Sequence, residues 1–172
     1  MRSLLVFVVS LSLTMLIFCC KQSGTETLNY SSLNYDTSRI FIFSWDIAKY
    51  FFPGNSAPLP LSQDDLKTAD NLLKDAIDSF NTYISPGLYE AFERRVPIDS
   101  FLVNQDRYKY QYFPGKDVNG RRVLKIIGFS TDYRLWKQAV YKPVLHYGTS
   151  MIELNIDLTE KSRDNLRSGD FG

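Results

Sequence analysis

The chain has 172 residues, with 20 Lys and Arg against 19 Asp and Glu, a single His and two Cys. A charge this balanced lacks the basic footprint that nucleic acid demands. The 11 Tyr and 12 Phe exclude a disordered chain, and the length allows one domain with a useful core plus short accessory segments.

Residues 1–20 carry one charge, Arg2, and residues 4–18 are apolar with only Ser and Thr interrupting. A cationic start before a brief apolar run describes a secretory signal peptide. The run is shorter than the roughly 20 residues that cross a bilayer comfortably, so a permanent span is the second reading. A buried helix is the third, weakened because such a segment is apolar on every side.

Both cysteines fall where that run turns polar, in the stretch LIFCCKQS. A bridge between neighbours is strained, because their Cα atoms lie about 3.8 Å apart and a disulfide wants about 4.4–6.8 Å. A metal site needs more ligands, and the one histidine, His146, is far away in sequence. The stretch Ile17-Phe18-Cys19-Cys20 resembles the lipobox of bacterial lipoproteins, in which a small residue precedes the lipidated cysteine. Cys20 fits that role better than Cys19, which follows the bulky Phe18. The resemblance implies cleavage after residue 19, three acyl chains on Cys20, and a place in the bacterial cell envelope. Lys21-Gln22 lacks the Asp that retains some lipoproteins in the inner membrane, so the outer membrane is favoured. The domain beyond holds no cysteine and folds without a disulfide.

Residues 21–38 are rich in Ser, Thr, Asn and Gly and read as a tether. Residues 39–45 (RIFIFSW) form either a first strand or an apolar plug, and the prolines of 48–61 mark a loop. Ser62 and Asp65 then have the spacing of a capping box. Leu66, Ala69, Leu73, Ala76, Ile77 and Phe80 follow at helical spacing, opposite a polar face that includes Lys67 and Asp70, up to an expected end at Pro86-Gly87. A short helix is expected around 89–94. Four strands are expected at 107–113, 121–129, 140–147 and 151–158, the first two joined by an Asn119-Gly120 hairpin. Residues 160–172 read as a polar tail that frays.

These elements predict an α+β fold in two layers, one long amphipathic helix on a four-stranded antiparallel meander. The domains are a signal peptide (1–19), lipidated Cys20 with its tether (20–38), the α+β domain (39–160) and the tail (161–172). The run YKYQYFPGKDVNGRRVLKIIGF, a Trp136 segment, and VYKPVLHYGTSMIELNIDL resembles small uncharacterised envelope lipoproteins in its order of strands, acidic Asn-Gly hairpin and Trp. That resemblance covers about residues 66–158 and implies fold and location, with no activity to transfer.

Candidate chemistry is sparse. His146 stands at a strand end without a nucleophile motif, and Ser130 lacks the second glycine of a nucleophile elbow. Asp117-Val118-Asn119-Gly120 runs into Arg121-Arg122 instead of the further oxygen ligands of a calcium loop. Tyr108, Tyr110 and Tyr112 share one strand face with Arg121 and Arg122 across the hairpin. They form either a binding surface or, in the preferred account, helix-side core with Lys109 and Gln111 solvated on the other face. No cofactor, metal or nucleic acid is implied. The expected function is a lipid-anchored, non-enzymatic binding or interaction module for an unidentified protein or small molecule. The alternatives are an envelope hydrolase using His146, or an inhibitor or immunity-type protein working through an open sheet face.

Overall fold

The computed structural model describes residues 28, 30–54, 56–130, 134–140 and 148–169. Cys19, Cys20, His146 and residues 141–147 of the expected third strand lie outside them. The fold is α+β. Strand β1 (Ile40–Ile42) leads through a short helix α1 (Trp45–Ala48) and a loop to the long helix α2 (Gln63–Ser79) and its continuation α3 (Ser85–Ala91). Strands β2 (Lys109–Lys116), β3 (Arg122–Phe129) and β4 (Met151–Asp157) follow, then two short strands, β5 (Ser162–Arg163) and β6 (Arg167–Ser168).

Helix α2 starts as its sequence dictates. Ser62 is extended and its hydroxyl accepts from the Asp65 amide, while the Asp65 carboxylate accepts from the Ser62 amide at 2.7 Å. The expected end at Pro86-Gly87 is not observed. Residues Phe80–Ile84 form a π turn in which the Ser85 amide bonds back five residues to the Phe80 carbonyl. Pro86 then falls in the first turn of α3, where a missing N–H is tolerated. Asn81 fastens this turn to the loop before β2, donating to the Val103 carbonyl at 2.9 Å and accepting from its amide at 2.8 Å. After α3 the chain turns away through Glu93 and Arg94, both in the left-handed region.

The sheet has six strands in the order β1-β2-β3-β4-β5, with β6 also on β4. It is mixed, which corrects the four-stranded antiparallel meander. Residues 39–45 contain a strand, and β1 runs parallel to β2 with Phe41 opposite Gln111. Parallel neighbours need a long crossover, and α2 with α3 supplies it. The tail is not frayed over 162–168: β5 and β6 pair with β4, and Leu166 enters the core.

The sheet is covered on both faces. Ile42, Tyr108, Tyr110, Tyr112, Leu124 and Ile126, with the even-numbered side chains of β4, pack under α2. On the other face Phe43 stacks on Phe113 at 5.0 Å, Phe51 lies 4.3 Å from the same ring, and Ile127 and Met151 complete the layer. Gln111, expected in solvent, is fully buried there and donates to the Trp136 and Ala139 carbonyls at 2.7 and 2.8 Å. Lys109 is half-buried with its ammonium 5.6 Å from the Trp136 ring centroid. The second layer comes from α1, the loop after it and the Trp136 segment, chain that a helix-on-sheet reading leaves unassigned.

Candidate functional site

A cleft of about 280 Å³ opens between the first turns of α2 and the chain that leads into β1. The tyrosines of β2 lie beneath it. Its outer wall, residues 34–36, is pinned at three points. Upstream, the buried Tyr30 hydroxyl donates to the Leu59 carbonyl at 2.8 Å. In the middle, Asn34 and Gln63 exchange a reciprocal pair: the Asn34 amide donates to Gln63 Oε1, and Gln63 Nε2 donates to the Asn34 carbonyl, both at 2.9 Å. Downstream, Asp36 closes a turn, its carboxylate accepting from the Ser38 amide and hydroxyl at 2.9 and 2.6 Å. Those bonds from Ser38 hold the Asp36 carboxyl below the usual range.

Arg39 stands where the wall enters β1. Its guanidinium donates to the Gln105 and Tyr108 carbonyls and pairs with Asp106 at 3.3 Å. It braces the loop before β2 and has little capacity left for another partner. Lys67 and Asp70 reach the cleft from α2. Both are exposed, and neither makes a hydrogen bond or an ion pair among the described residues.

The floor differs in kind from the rim. Tyr110 donates to the Gln105 carbonyl at 3.2 Å. Tyr112 is only 2% exposed, and its hydroxyl has no hydrogen-bond partner among the described residues. No sealed side-chain oxygen or nitrogen among them lacks a partner, so this hydroxyl opens on the cleft that its side chain lines. Burial first, and then the Asp70 carboxylate, push the Tyr112 phenol well above its usual pKa, with Arg39 acting in the opposite sense. Asp70 and Tyr112 line the same cleft.

The residues proposed from sequence are separated. Tyr108, Tyr110 and Tyr112 lie under the helix as core. Arg122 is opposite Lys116 and Tyr112 opposite Ile126, so Arg122 sits four residues along β3, roughly 13 Å away, and Arg121 lies beyond the end of the strand. Arg122 turns to the helix side and pairs with Asp65, while Arg121 pairs with Asp117 at 2.7 Å in the hairpin. Asp117 also caps that turn through the Asn119 and Arg121 amides, both at 2.9 Å. Sequence reasoning missed Asn34, Arg39, Lys67 and Asp70 as a group. The composition around the first reads as tether and the spacing of the last two as a solvated helix face, and nothing in their spacing signals that the wall folds back over α2.

A larger groove of about 490 Å³ runs between α2, α3 and β6. Its cation is already used: Arg163 donates to Ser79 Oγ at 2.8 Å and pairs with Asp75 at 2.7 Å. Among the described residues, no group of three or more His, Cys, Asp and Glu is placed to hold a metal ion, and no helix is long and apolar enough to cross a membrane. No protein-family model matches the chain, and no curated protein or solved structure matches it either.

Proposed function

We propose that the chain is a lipid-anchored protein of the bacterial cell envelope, attached through Cys20, whose domain is a non-enzymatic binding module for a small molecule seated in the cleft. The observation that carries the binding reading is the Tyr112 hydroxyl, covered on nearly all sides, without a partner, and open to a cavity. A buried polar group without a partner costs about 1–3 kcal/mol unless water or a ligand satisfies it, and a cleft with an apolar floor and a few convergent polar groups is the ordinary form of a ligand site. The LIFCCKQS leader supports the anchor. Leu28 already packs against the core. Seven residues, eight Cα steps, separate it from Cys20, so the tether reaches at most about 28 Å, and the cleft works close to the membrane.

Two experiments test the two halves. Labelled palmitate should enter the wild-type chain and fail to enter Cys20→Ser; label in the variant removes the anchor. Ligand-observed NMR of the full chain in detergent, against a broad library of sugars, nucleosides, organic acids and amino acids, should find a binder that Asp70→Trp at the mouth displaces. A library without a hit, or a hit indifferent to that substitution, removes the binding reading.

A further inference from the structure

We infer that the cleft takes a zwitterion of amino-acid or dipeptide size, with the ligand ammonium held between Asp70 and the Tyr112 hydroxyl and its carboxylate turned toward Lys67. This rests on the binding reading above and specifies its ligand.

Size sets the first limit. Sites for drug-sized ligands run from about 300 to 1,000 Å³, and this cleft of about 280 Å³ lies just below that range. An amino acid or dipeptide fills it, whereas an oligosaccharide or a nucleotide would project from its mouth.

Charge sets the second. Asp36 is satisfied by Ser38 and Arg39 by Asp106 and two carbonyls. That leaves one free cation, Lys67, and one free anion, Asp70, among the described residues of the cleft. They are three residues apart on α2, a spacing that puts side chains on one face, yet they do not pair with each other. A simple anion meets Asp70 and a simple cation meets Lys67, each with a like charge nearby. A ligand carrying both signs neutralises both.

The free hydroxyl sets the orientation. Tyr112 offers an oxygen that can accept from an ammonium beside the Asp70 carboxylate, and charge-assisted bonds of this kind are the strong ones. The walls add Ile40, Leu66 and Leu73, so a ligand with an aliphatic side chain is preferred over glycine.

The test is calorimetry of the full chain in detergent with the free amino acids and a set of Gly-X dipeptides, each compared with its N-acetyl and C-amide forms. Binding of at least one aliphatic zwitterion is expected, weakened about tenfold or more by blocking either end. Asp70→Asn should remove the sensitivity to N-acetylation and Lys67→Gln the sensitivity to amidation, while Tyr112→Phe weakens every zwitterion by about tenfold. The blocked ligands test the idea on wild-type protein, so a variant that fails to fold does not rescue it. Equal binding of blocked and free forms, or no binding across the panel, overturns the inference. If the broad library yields a neutral sugar that Asp70→Trp displaces, the ligand class is wrong and the binding module stands. If both screens are empty, both fall.

Discussion

Replacing a tyrosine by phenylalanine removes one oxygen and leaves the packed ring, so three such changes report what each hydroxyl does. Tyr30 donates to the Leu59 carbonyl at 2.8 Å in a buried setting. Its removal loses a net hydrogen bond, about 1 kcal/mol, and takes the donor from a carbonyl shut away from water, about 1 kcal/mol more. Tyr110 makes a longer bond of 3.2 Å to the Gln105 carbonyl and should cost roughly half as much. Tyr112 donates to nothing among the described residues, so with cleft water satisfying its hydroxyl in the unliganded protein, Tyr112→Phe should change stability by no more than about 0.5 kcal/mol. For a chain of this size 1 kcal/mol moves the melting temperature by about 2–4 °C. Thermal and urea denaturation of the full chain, followed by circular dichroism, should therefore show drops of about 4–8 °C for Tyr30→Phe, about 2–4 °C for Tyr110→Phe and less than 2 °C for Tyr112→Phe. A Tyr112→Phe loss as large as that of Tyr30→Phe would mean that the hydroxyl is already bonded. The free donor and acceptor on which the cleft reading rests would then not exist.

The Asp65 carboxylate is 6% exposed, and although burial pushes its pKa up, the bonds from Ser62 and Arg122 outweigh this and hold it below the usual value. Asp65→Ala should cost about 2–3 kcal/mol, as it removes half of a capping box and an ion pair at once; a loss under about 0.5 kcal/mol in urea titrations refutes the network. Because the folded pKa is depressed, this stabilisation is present above the unfolded value of about 3.9 and is lost as pH falls below it, so the difference between wild type and Asp65→Ala should vanish in acid. At the other extreme, burial raises the Tyr30 and Tyr108 phenols to about 12. Stability is then complete below pH 10 and falls between pH 10 and 12, and the part of the phenolate absorbance that Tyr30→Phe and Tyr108→Phe remove should appear only with unfolding; that part titrating near 10 in a folded chain contradicts the burial. A Cβ on Gly128 would stand 2.7 Å from Ile152 Cγ1 and 2.9 Å from Tyr110 Cε1. Gly128→Ala should destabilise by about 1–3 kcal/mol, and a wild-type melting curve would show that the sheet is not packed there as described.

Local signals carried the middle of the fold. The capping box, the stripe from Leu66 to Phe80, the Asn-Gly hairpin and the alternation of β4 each depend on residues close in sequence, and each stands in the structure. The helix end did not follow from Pro86 because a π turn shifts the bonding register, and what holds that turn is Asn81 reaching Val103, a partner far along the chain. Sheet topology was hidden for a similar reason. Whether Phe41 and Ile42 plug a core or pair with β2 depends on a neighbour some 70 residues away, and alternation cannot report a second covered face when a buried Gln111 takes its partners from backbone carbonyls. The cleft was least legible of all. A composition rich in Asn, Ser and Thr describes a tether and a pinned wall equally well, and only long-range bonds to Leu59 and Gln63 tell them apart.

In a protein anchored at Cys20, the chain leaving the membrane is the chain that becomes the cleft wall. A site built from that chain needs its wall isolated from any pull the anchor exerts. The bonds occur where isolation requires them: Tyr30 to Leu59 ahead of the wall, the two Asn34–Gln63 bonds within it, and the Asp36 turn with Arg39 behind it. Leu28 on the core and then the buried Tyr30, fastened to the loop at Leu59, stand ahead of every residue that lines the cleft. A pre-formed wall also avoids ordering a flexible segment at each binding event, which otherwise costs about 1–2 kcal/mol per residue. For a ligand as small as a dipeptide, with few atoms to supply affinity, that saving decides whether the site binds at all.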